Sequence, residues 1–245
     1  MKTRNKALLL VLCAVILAAA SVFGTMAYLT DTKATTNTFT VGTVNVKLDE
    51  AKVKANGEYE IGHDNRTNEN TYHLIPGHTY KKDPTVTVLK GSEESYVRMM
   101  VEVNYSKELD AIFAPTGKDL TTIFDGYSAD NWTLVSNKKD TNKNTRTYEF
   151  WYVGTEKQGS VKGTVAKAEK ADIVLDDLFE SITIPGEITK EQLATLITVD
   201  PTSGEITDQF KISVVAHAIQ KDGFEDKNGN GTAADEAWEA FDKQN

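Results

Sequence analysis

The stretch YVRMMVEVNY, residues 96–105, decides the fold prediction for this chain of 245 residues. Its apolar side chains are Val97, Met99, Val101, Val103 and Tyr105, and they alternate with the polar side chains of Arg98, Glu102 and Asn104. A period of two over this length is typical of a strand with one buried face and one solvated face. The stretch therefore predicts a strand that packs one face against a core.

Similar patterns recur along most of the chain. Residues 39–48 alternate as well, and their parity changes at Gly42, which predicts a bulge or bend there. Further strands are predicted at residues 85–89, 132–135, 147–153, 181–184 and 210–219. Many short strands with few helices predict an all-β fold, a jelly-roll-like β-sandwich with a few short helices and long loops.

The segments between these strands predict loops and short helices. Residues 136–146 are rich in Asn and Lys and predict the solvated loop of a long hairpin. Residues 50–70 and 154–171 are polar and glycine-containing, and they predict mobile loops. Helices are predicted at residues 107–113, 189–197 and 233–243. The second has Thr189 and Gln192 spaced as a capping box.

The N-terminus has the order of a secretory signal peptide. Basic Lys2, Arg4 and Lys6 precede the apolar run 7–22, and small residues follow up to Ala27. We expect cleavage between Ala27 and Tyr28. An uncleaved anchor is the alternative, because the run is close to the shortest membrane span. A lipoprotein is disfavoured, because Cys13 lies midway along the apolar run, after Leu12 rather than after a small residue.

Cleavage would change what the composition implies. Loss of the three N-terminal cations lowers the formal net charge from −9 to −12, which disfavours nucleic-acid binding. Because Cys13 is the only cysteine, the mature chain would form no disulfide, a pattern that suits a Gram-positive surface protein. The expected organisation is a signal peptide (1–27), an N-terminal strand segment (28–48) and a β-sandwich domain with a C-terminal loop and short helix (49–245).

Catalytic motifs are missing from the sequence. The four histidines are His63, His73, His78 and His217, and none lies in an HExxH motif. His73 and His78 flank a turn and are interpreted as polar loop residues, whereas His217 is interpreted as a strand-face residue. No GxSxG, Walker A or GxGxxG motif occurs, so no catalytic or cofactor-binding residue is predicted.

One segment before the last predicted helix resembles half of a calcium loop. Oxygen-bearing side chains stand at its positions 1, 3, 5 and 7, with a glycine at position 6. Position 12 is Ala237, and the nearest carboxylates are Asp235 and Glu236. The candidate calcium ligands are Asp226, Asn228, Asn230, Thr232 and Asp235. The alternative is a glycine-rich turn that leads into the helix.

The N-terminal sequence resembles a known family. Tyr28 near the expected cut, Asp31, and Phe39-x-x-Gly42 followed by alternating apolar residues are similar to exported proteins processed by a SipW-type signal peptidase. That group contains the TasA and camelysin-like proteins of Gram-positive bacteria, and the resemblance is specific over about residues 20–50. It implies an extracellular jelly-roll protein that builds matrix fibres, in which the mature N-terminus of one subunit completes the sheet of the next.

Residues 28–39 suit such a donor strand. They are rich in threonine and contain no Pro or Gly, so they favour an extended conformation. At ~3.3 Å per residue they reach roughly 40 Å, and strand addition supplies main-chain hydrogen bonds without any cysteine. The predicted assembly residues are Tyr28, Leu29, Phe39, Val41, Val44, Val46 and Leu48. The alternative is an unstructured N-terminal tail.

Three functional hypotheses follow. The first is a secreted matrix protein of a Gram-positive surface that self-assembles into a homo-oligomer or fibre, with a SipW-type peptidase as its processing partner and membrane contact only before cleavage. The second is a secreted metalloendopeptidase, which the camelysin-like classification implies but whose zinc ligands the sequence does not show. The third is a surface adhesin that binds ligands through its loops.

Overall fold

The structure is a computed structural model that describes residues 30–33, 44–62, 64–116, 120–154, 163–227, 229 and 233–244. The predicted signal peptide and cleavage site lie outside these residues, as do the predicted assembly residues Leu29, Phe39 and Val41.

The described chain is built mainly of strands, with three short helices. The strands are β1 (Thr30–Lys33), β2 (Val46–Ala51), β3 (Arg66–Thr67), β4 (Thr79–Lys81), β5 (Thr85–Val88), β6 (Ser95–Asn104), β7 (Phe124–Asp125), β8 (Trp132–Asp140), β9 (Thr145–Tyr152), β10 (Ile173–Val174), β11 (Ser181–Thr183), β12 (Ile197–Val199), β13 (Ile206–Gln209) and β14 (Ile212–Gln220). The helices are α1 (Ser106–Phe113), α2 (Lys190–Ala194) and α3 (Ala234–Asp242), and 3₁₀ turns lie at Ala114–Thr116 and Leu120–Ile123.

The strands form four antiparallel sheets. The largest has the order β1-β14-β6-β9-β8, and the second has the order β10-β5-β2-β3. Two smaller sheets are β4-β11-β7 and β12-β13. The prediction of an all-β sandwich is confirmed, whereas the jelly-roll connectivity stays a prediction.

One hydrophobic core joins the two larger sheets. The buried face of β6 supplies Val97, Met99, Val101 and Val103, and the second sheet supplies Val46, Leu48, Val86 and Val88. Burial of each such side chain contributes about 1.5–3 kcal/mol. The alternation in residues 96–105 therefore identified the buried face of the central strand.

The other face of β6 is only partly solvated. Glu102 is exposed as predicted, but Tyr96 and Arg98 are buried. Helix α3 covers this half of the sheet with Trp238 and Phe241, which pack near Tyr96. The prediction of a solvated second face was wrong at Tyr96 and Arg98, because α3, which covers them, comes from the other end of the chain.

The hairpin of β8 and β9 is confirmed, but its loop is much shorter than predicted. Pairing continues to Asp140↔Thr145, so most of residues 136–146 belong to the two strands. Strand β8 is the outer strand of its sheet and is largely exposed, which allows Lys and Asn at strand positions.

The two polar segments predicted to be mobile loops contain core residues. Residues 50–70 include β3 and buried Val53. In residues 163–171, Val165 forms a bridge with Ser95 and is fully buried. The predictions were wrong for these parts, because isolated apolar residues anchor segments whose average composition is polar.

The predicted helices are confirmed with shifted ends. In α2 the capping box is present, since Thr189 Oγ1 accepts from Gln192 N at 3.2 Å and Gln192 Oε1 accepts from Thr189 N at 2.8 Å. This helix ends at Ala194, three residues before the predicted end. A local motif thus located its beginning better than its end.

Candidate functional site

The edge of the largest sheet is the candidate site, because the N-terminal segment pairs there. Strand β1 is the outer strand and runs antiparallel to β14, with Thr30 opposite Ile219 and Lys33 opposite Ala216. Strand β14 spans Ile212–Gln220, so β1 covers only its C-terminal part among the described residues. We call this outer side of β14 the β14 edge.

Both faces of β14 are buried near this pairing. Ala216 and Ala218 have 0% exposure and belong to the main core, whereas Ile219 packs against α3 on the opposite face. Removal of β1 would therefore leave backbone N–H and C=O groups beside a hydrophobic environment, which costs free energy unless another strand replaces it.

The opposite edge of the same sheet has a different character. Strand β8 contains an irregularity between Leu134 and Ser136, and it carries Lys138 and Lys139. Bulges and lysines on an outer strand hinder the addition of further strands. The two edges are therefore unequal, and only the β8 edge carries features that hinder strand addition among the described residues.

The predicted assembly residues divide into two groups. Val44, Val46 and Leu48 are buried in the chain's own core, and Val46 and Leu48 pair with β5. Tyr28, Leu29, Phe39 and Val41 lie outside the described residues. The described part of the N-terminal segment that contacts the β14 edge is Thr30–Lys33.

A buried arginine connects the β14 edge to α3. Arg98 on β6 is 3% exposed, and its guanidinium donates to Glu149 Oε1 at 3.0 Å and to both carboxylate oxygens of Asp242. It also lies 4.5 Å from the ring centre of Trp238 and 5.1 Å from that of Phe241. These cation–π contacts and ion pairs hold α3 against the sheet.

His217 completes this cluster directly opposite β1. Its register partner on β1 is Thr32, and its Nδ1 accepts from Arg98 Nε at 3.0 Å. The ring stacks on Phe241 at 4.8 Å. Burial, and then the charge of Arg98, lower the pKa of His217 from 6.5 to about 4. The imidazole is therefore neutral near pH 7 and acts as a hydrogen-bond acceptor.

A second charged cluster lies where β2, β3 and β4 meet. Arg66 Nε donates to Asp49 Oδ1 at 2.9 Å, and Arg66 Nη1 donates to Asp83 Oδ2. Beside it, Lys82 Nζ donates to Glu50 Oε2 at 2.5 Å. These pairs hold residues 50–70 against β4. Sequence reasoning missed this cluster and that of Arg98, and the only available signal was an arginine within an otherwise apolar strand pattern.

The calcium candidate is only partly described. Asp226 and Asp235 are described, whereas Asn228, Asn230 and Thr232 lie outside the described residues. Neighbouring Glu236 accepts from Glu225 N at 2.8 Å and pairs with Lys227 Nζ. The calcium site therefore stays a prediction.

The histidines lie at separate places. His78 Nε2 contacts the backbone oxygen of Asn56 at 2.6 Å, and His73 is exposed on the other side of the Pro76-Gly77 turn. His63 lies outside the described residues. Among the residues that the structure describes, no three His, Cys, Asp or Glu side chains are grouped closely enough to hold a metal ion. No described helix is long and apolar enough to cross a membrane.

Comparison with known proteins finds no match: no family model, no curated protein and no solved structure is similar to this chain. The family resemblance therefore rests on the N-terminal residues alone.

Proposed function

We propose that this chain is a secreted protein of a Gram-positive cell surface or matrix that self-assembles when its N-terminal segment pairs with the β14 edge of a second copy. The observation that carries the proposal is the position of Thr30–Lys33 as the outermost strand, paired with a strand that is buried on both faces.

Exchange of this strand between copies conserves the contacts that already exist. The same antiparallel register, from Thr30↔Ile219 to Lys33↔Ala216, forms whether β1 comes from its own chain or from a neighbour. Repetition of a head-to-tail exchange produces an open fibre rather than a closed dimer. Because the donor is extended backbone, its affinity comes mainly from main-chain hydrogen bonds.

The linker between β1 and the core supports this exchange. Residues 34–43 connect Lys33 to buried Val44, and ten residues span at most about 35 Å when extended. Because neighbouring strands lie about 4.8 Å apart, this reach exceeds the width of a five-stranded sheet. A signal peptide that is still attached would keep the segment at the membrane, so assembly would begin only after cleavage.

Deletion of the N-terminal segment tests the proposal. Purified chain that begins at Tyr28 should form oligomers at neutral pH, and deletion of residues 28–40 should leave monomers with the same β-sheet circular dichroism. Sedimentation velocity measures the distribution. Replacement of Thr30–Lys33 by four glycines is the matched variant, because it keeps the chain length but weakens the strand, and it should reduce assembly. Equal assembly of the deletion variant would contradict the proposal.

A further inference from the structure

The side chains of Lys82 and Asn70 meet at the carboxylate of Glu50, beside the Arg66 ion pairs. Glu50 lies at the end of β2, Asn70 follows β3, and Lys82 follows β4. Lys82 Nζ donates to Glu50 Oε2 at 2.5 Å, and Asn70 Nδ2 donates to Glu50 Oε1 at 2.9 Å. One carboxylate thus holds an amine and a carboxamide side by side.

The carboxamide of Asn70 is fixed by the backbone of β2 and the residues after it. Its Nδ2 also donates to the backbone oxygen of Ala51 at 2.9 Å. Its Oδ1 accepts from the backbone N–H of Val53 at 3.0 Å. A backbone donor at Oδ1 polarises the carbonyl and would stabilise negative charge that develops on this oxygen.

The meeting point is largely shielded from water. Lys82 and Glu50 are only 7% and 6% exposed. The ring centre of Tyr72 lies 5.9 Å from Lys82 Nζ, and Tyr72 packs edge-on against Tyr80. This shielding keeps solvent away from the amine and the carboxamide, so water does not compete with the amine for the carbonyl carbon.

The neighbouring ion pairs of Arg66 provide a contrast. The guanidinium of Arg66 bridges two buried carboxylates, those of Asp49 and Asp83. A guanidinium stays protonated and cannot act as a nucleophile, so this pair is purely structural. At the Lys82 pair the cation is an amine that can lose a proton, and the carboxylate of Glu50 contacts both this amine and the carboxamide of Asn70.

We propose that Lys82 and Asn70 become joined by an intramolecular isopeptide bond, with Glu50 as the group that moves the protons. Glu50 takes a proton from the Lys82 ammonium, and the free amine attacks Cγ of Asn70, whose carbonyl electrons move to Oδ1. Glu50 then gives its proton to Nδ2 and takes a second proton from Nζ. The Cγ–Nδ2 bond breaks, and the carbonyl re-forms. Ammonia leaves with the bonding electron pair and takes the remaining proton from Glu50, so the products are an amide and an ammonium ion.

The bond would do for this chain what a disulfide does elsewhere. It would tie the segment after β3 to β4 and close a short loop, which restricts the unfolded chain. The inference is independent of the proposed assembly, since all three residues belong to the folded domain and lie outside the pairing of β1 with β14.

Tryptic peptide mapping of the purified full chain by mass spectrometry tests the inference. Trypsin cuts after Arg66 and Lys81, but it does not cut after an acylated Lys82. The wild type should therefore yield peptide 67–81 joined to peptide 82–90, with a mass about 17 Da below the sum of the two peptides because one ammonia is lost. Fragmentation should place the link between Asn70 and Lys82.

Three variants separate this chemistry from a buried ion pair. K82R keeps the positive charge but cannot form the amide, N70A removes the acceptor, and E50Q removes the proton carrier while keeping the shape. Each should yield only unlinked peptides, and near-ultraviolet circular dichroism checks that each variant folds. The control is K221R, because Lys221 forms an ion pair with Glu94 at 3.0 Å outside this cluster, and it should keep the joined peptide.

Free peptide 67–81 as the sole product from folded wild type would overturn the inference. A joined peptide that persists in E50Q would overturn the assigned role of Glu50. Loss of the joined peptide in K221R would show that the mapping reports general destabilisation, which would also count against the inference.

Discussion

Gly57 illustrates how one residue connects the polar segment to the core. Its φ is +82°, and a Cβ at this position would lie 2.6 Å from Tyr80 Cδ1 and 2.7 Å from Tyr80 Cα. Its backbone oxygen accepts from Lys81 N at 2.9 Å, so the turn is fixed against β4. Glycine is needed here both for the left-handed backbone and for the close approach.

Substitution at Gly57 should therefore be more costly than at another glycine with similar backbone. Gly62 has φ +101°, and a Cβ at this position would meet no atom within 4 Å. G62A should therefore lose only ~1 kcal/mol of unfolding free energy. G57A adds an overlap with Tyr80 and should lose ~3 kcal/mol or more. Urea denaturation measures both variants, and equal losses would contradict the packing described for Gly57.

His217 should make stability depend on pH. Its folded pKa of about 4 lies below its ordinary value of 6.5, because burial and Arg98 disfavour the protonated ring. Between these values the unfolded chain binds more protons, so this stabilising contribution is complete above about pH 6.5 and is lost as the pH falls toward about 4. Asp242 and Glu149 also face the ring's neighbour Arg98 and oppose the shift in part.

The substitution H217Q tests this dependence, since glutamine keeps an acceptor for Arg98 but does not titrate. Between about pH 7 and about pH 4.5 the urea midpoint of H217Q should fall less than that of the wild type. H73Q is the control, because His73 is exposed, and it should keep the wild-type slope. Parallel curves for H217Q and the wild type would contradict the assigned burial of His217.

At the scale of elements, α3 shields part of the second face of the largest sheet from solvent. Ala237, Trp238 and Phe241 are buried against Tyr96 and Ile219, and Asp242 reaches Arg98 although its side chain is 59% exposed. The short helix is too small to be stable alone, so its order comes from this packing.

Truncation of its central ring should therefore loosen the whole element. W238A should lose about 3–5 kcal/mol of unfolding free energy, through a cavity and a lost cation–π contact. K243A removes only the exposed pair with Glu239 and should change the unfolding free energy by less than ~0.5 kcal/mol. Urea unfolding followed by tyrosine fluorescence compares the two, and similar small losses would show that α3 does not stabilise the sheet.

Sequence patterns could predict local features of the fold but not contacts between distant segments. The buried face of β6 was predictable because alternation is local, and the capping box of α2 was predictable for the same reason. Burial of Arg98 was not, because it depends on a helix more than a hundred residues away along the chain. The meeting of Glu50, Asn70 and Lys82 was likewise hidden, since three polar segments converge only in the folded protein.

For the whole molecule, the two edges of the largest sheet differ, and we propose that only the β14 edge exchanges strands between copies. The β8 edge has an irregular register and lysines, whereas the β14 edge is completed by a strand that belongs to the N-terminal segment. The proposed assembly outside the cell through backbone contacts rests on the predicted processing, the lack of cysteine in residues 28–245 and the pairing of β1.

Disulfide trapping between two copies tests strand exchange at the β14 edge. One chain that begins at Tyr28 carries D31C, and a second such chain carries A218C. The two chains are refolded together and then oxidised. Because Asp31 and Ala218 are register partners, their Cβ atoms should lie about 4.5–5.5 Å apart in an exchanged pair, close enough for a disulfide after small adjustments. The control pairs D31C with A216C, which is two residues out of register.

A covalent D31C–A218C dimer is expected on a non-reducing gel, with much less product for the control pair. Equal yields for the two pairs, or only monomers, would contradict strand exchange at the β14 edge.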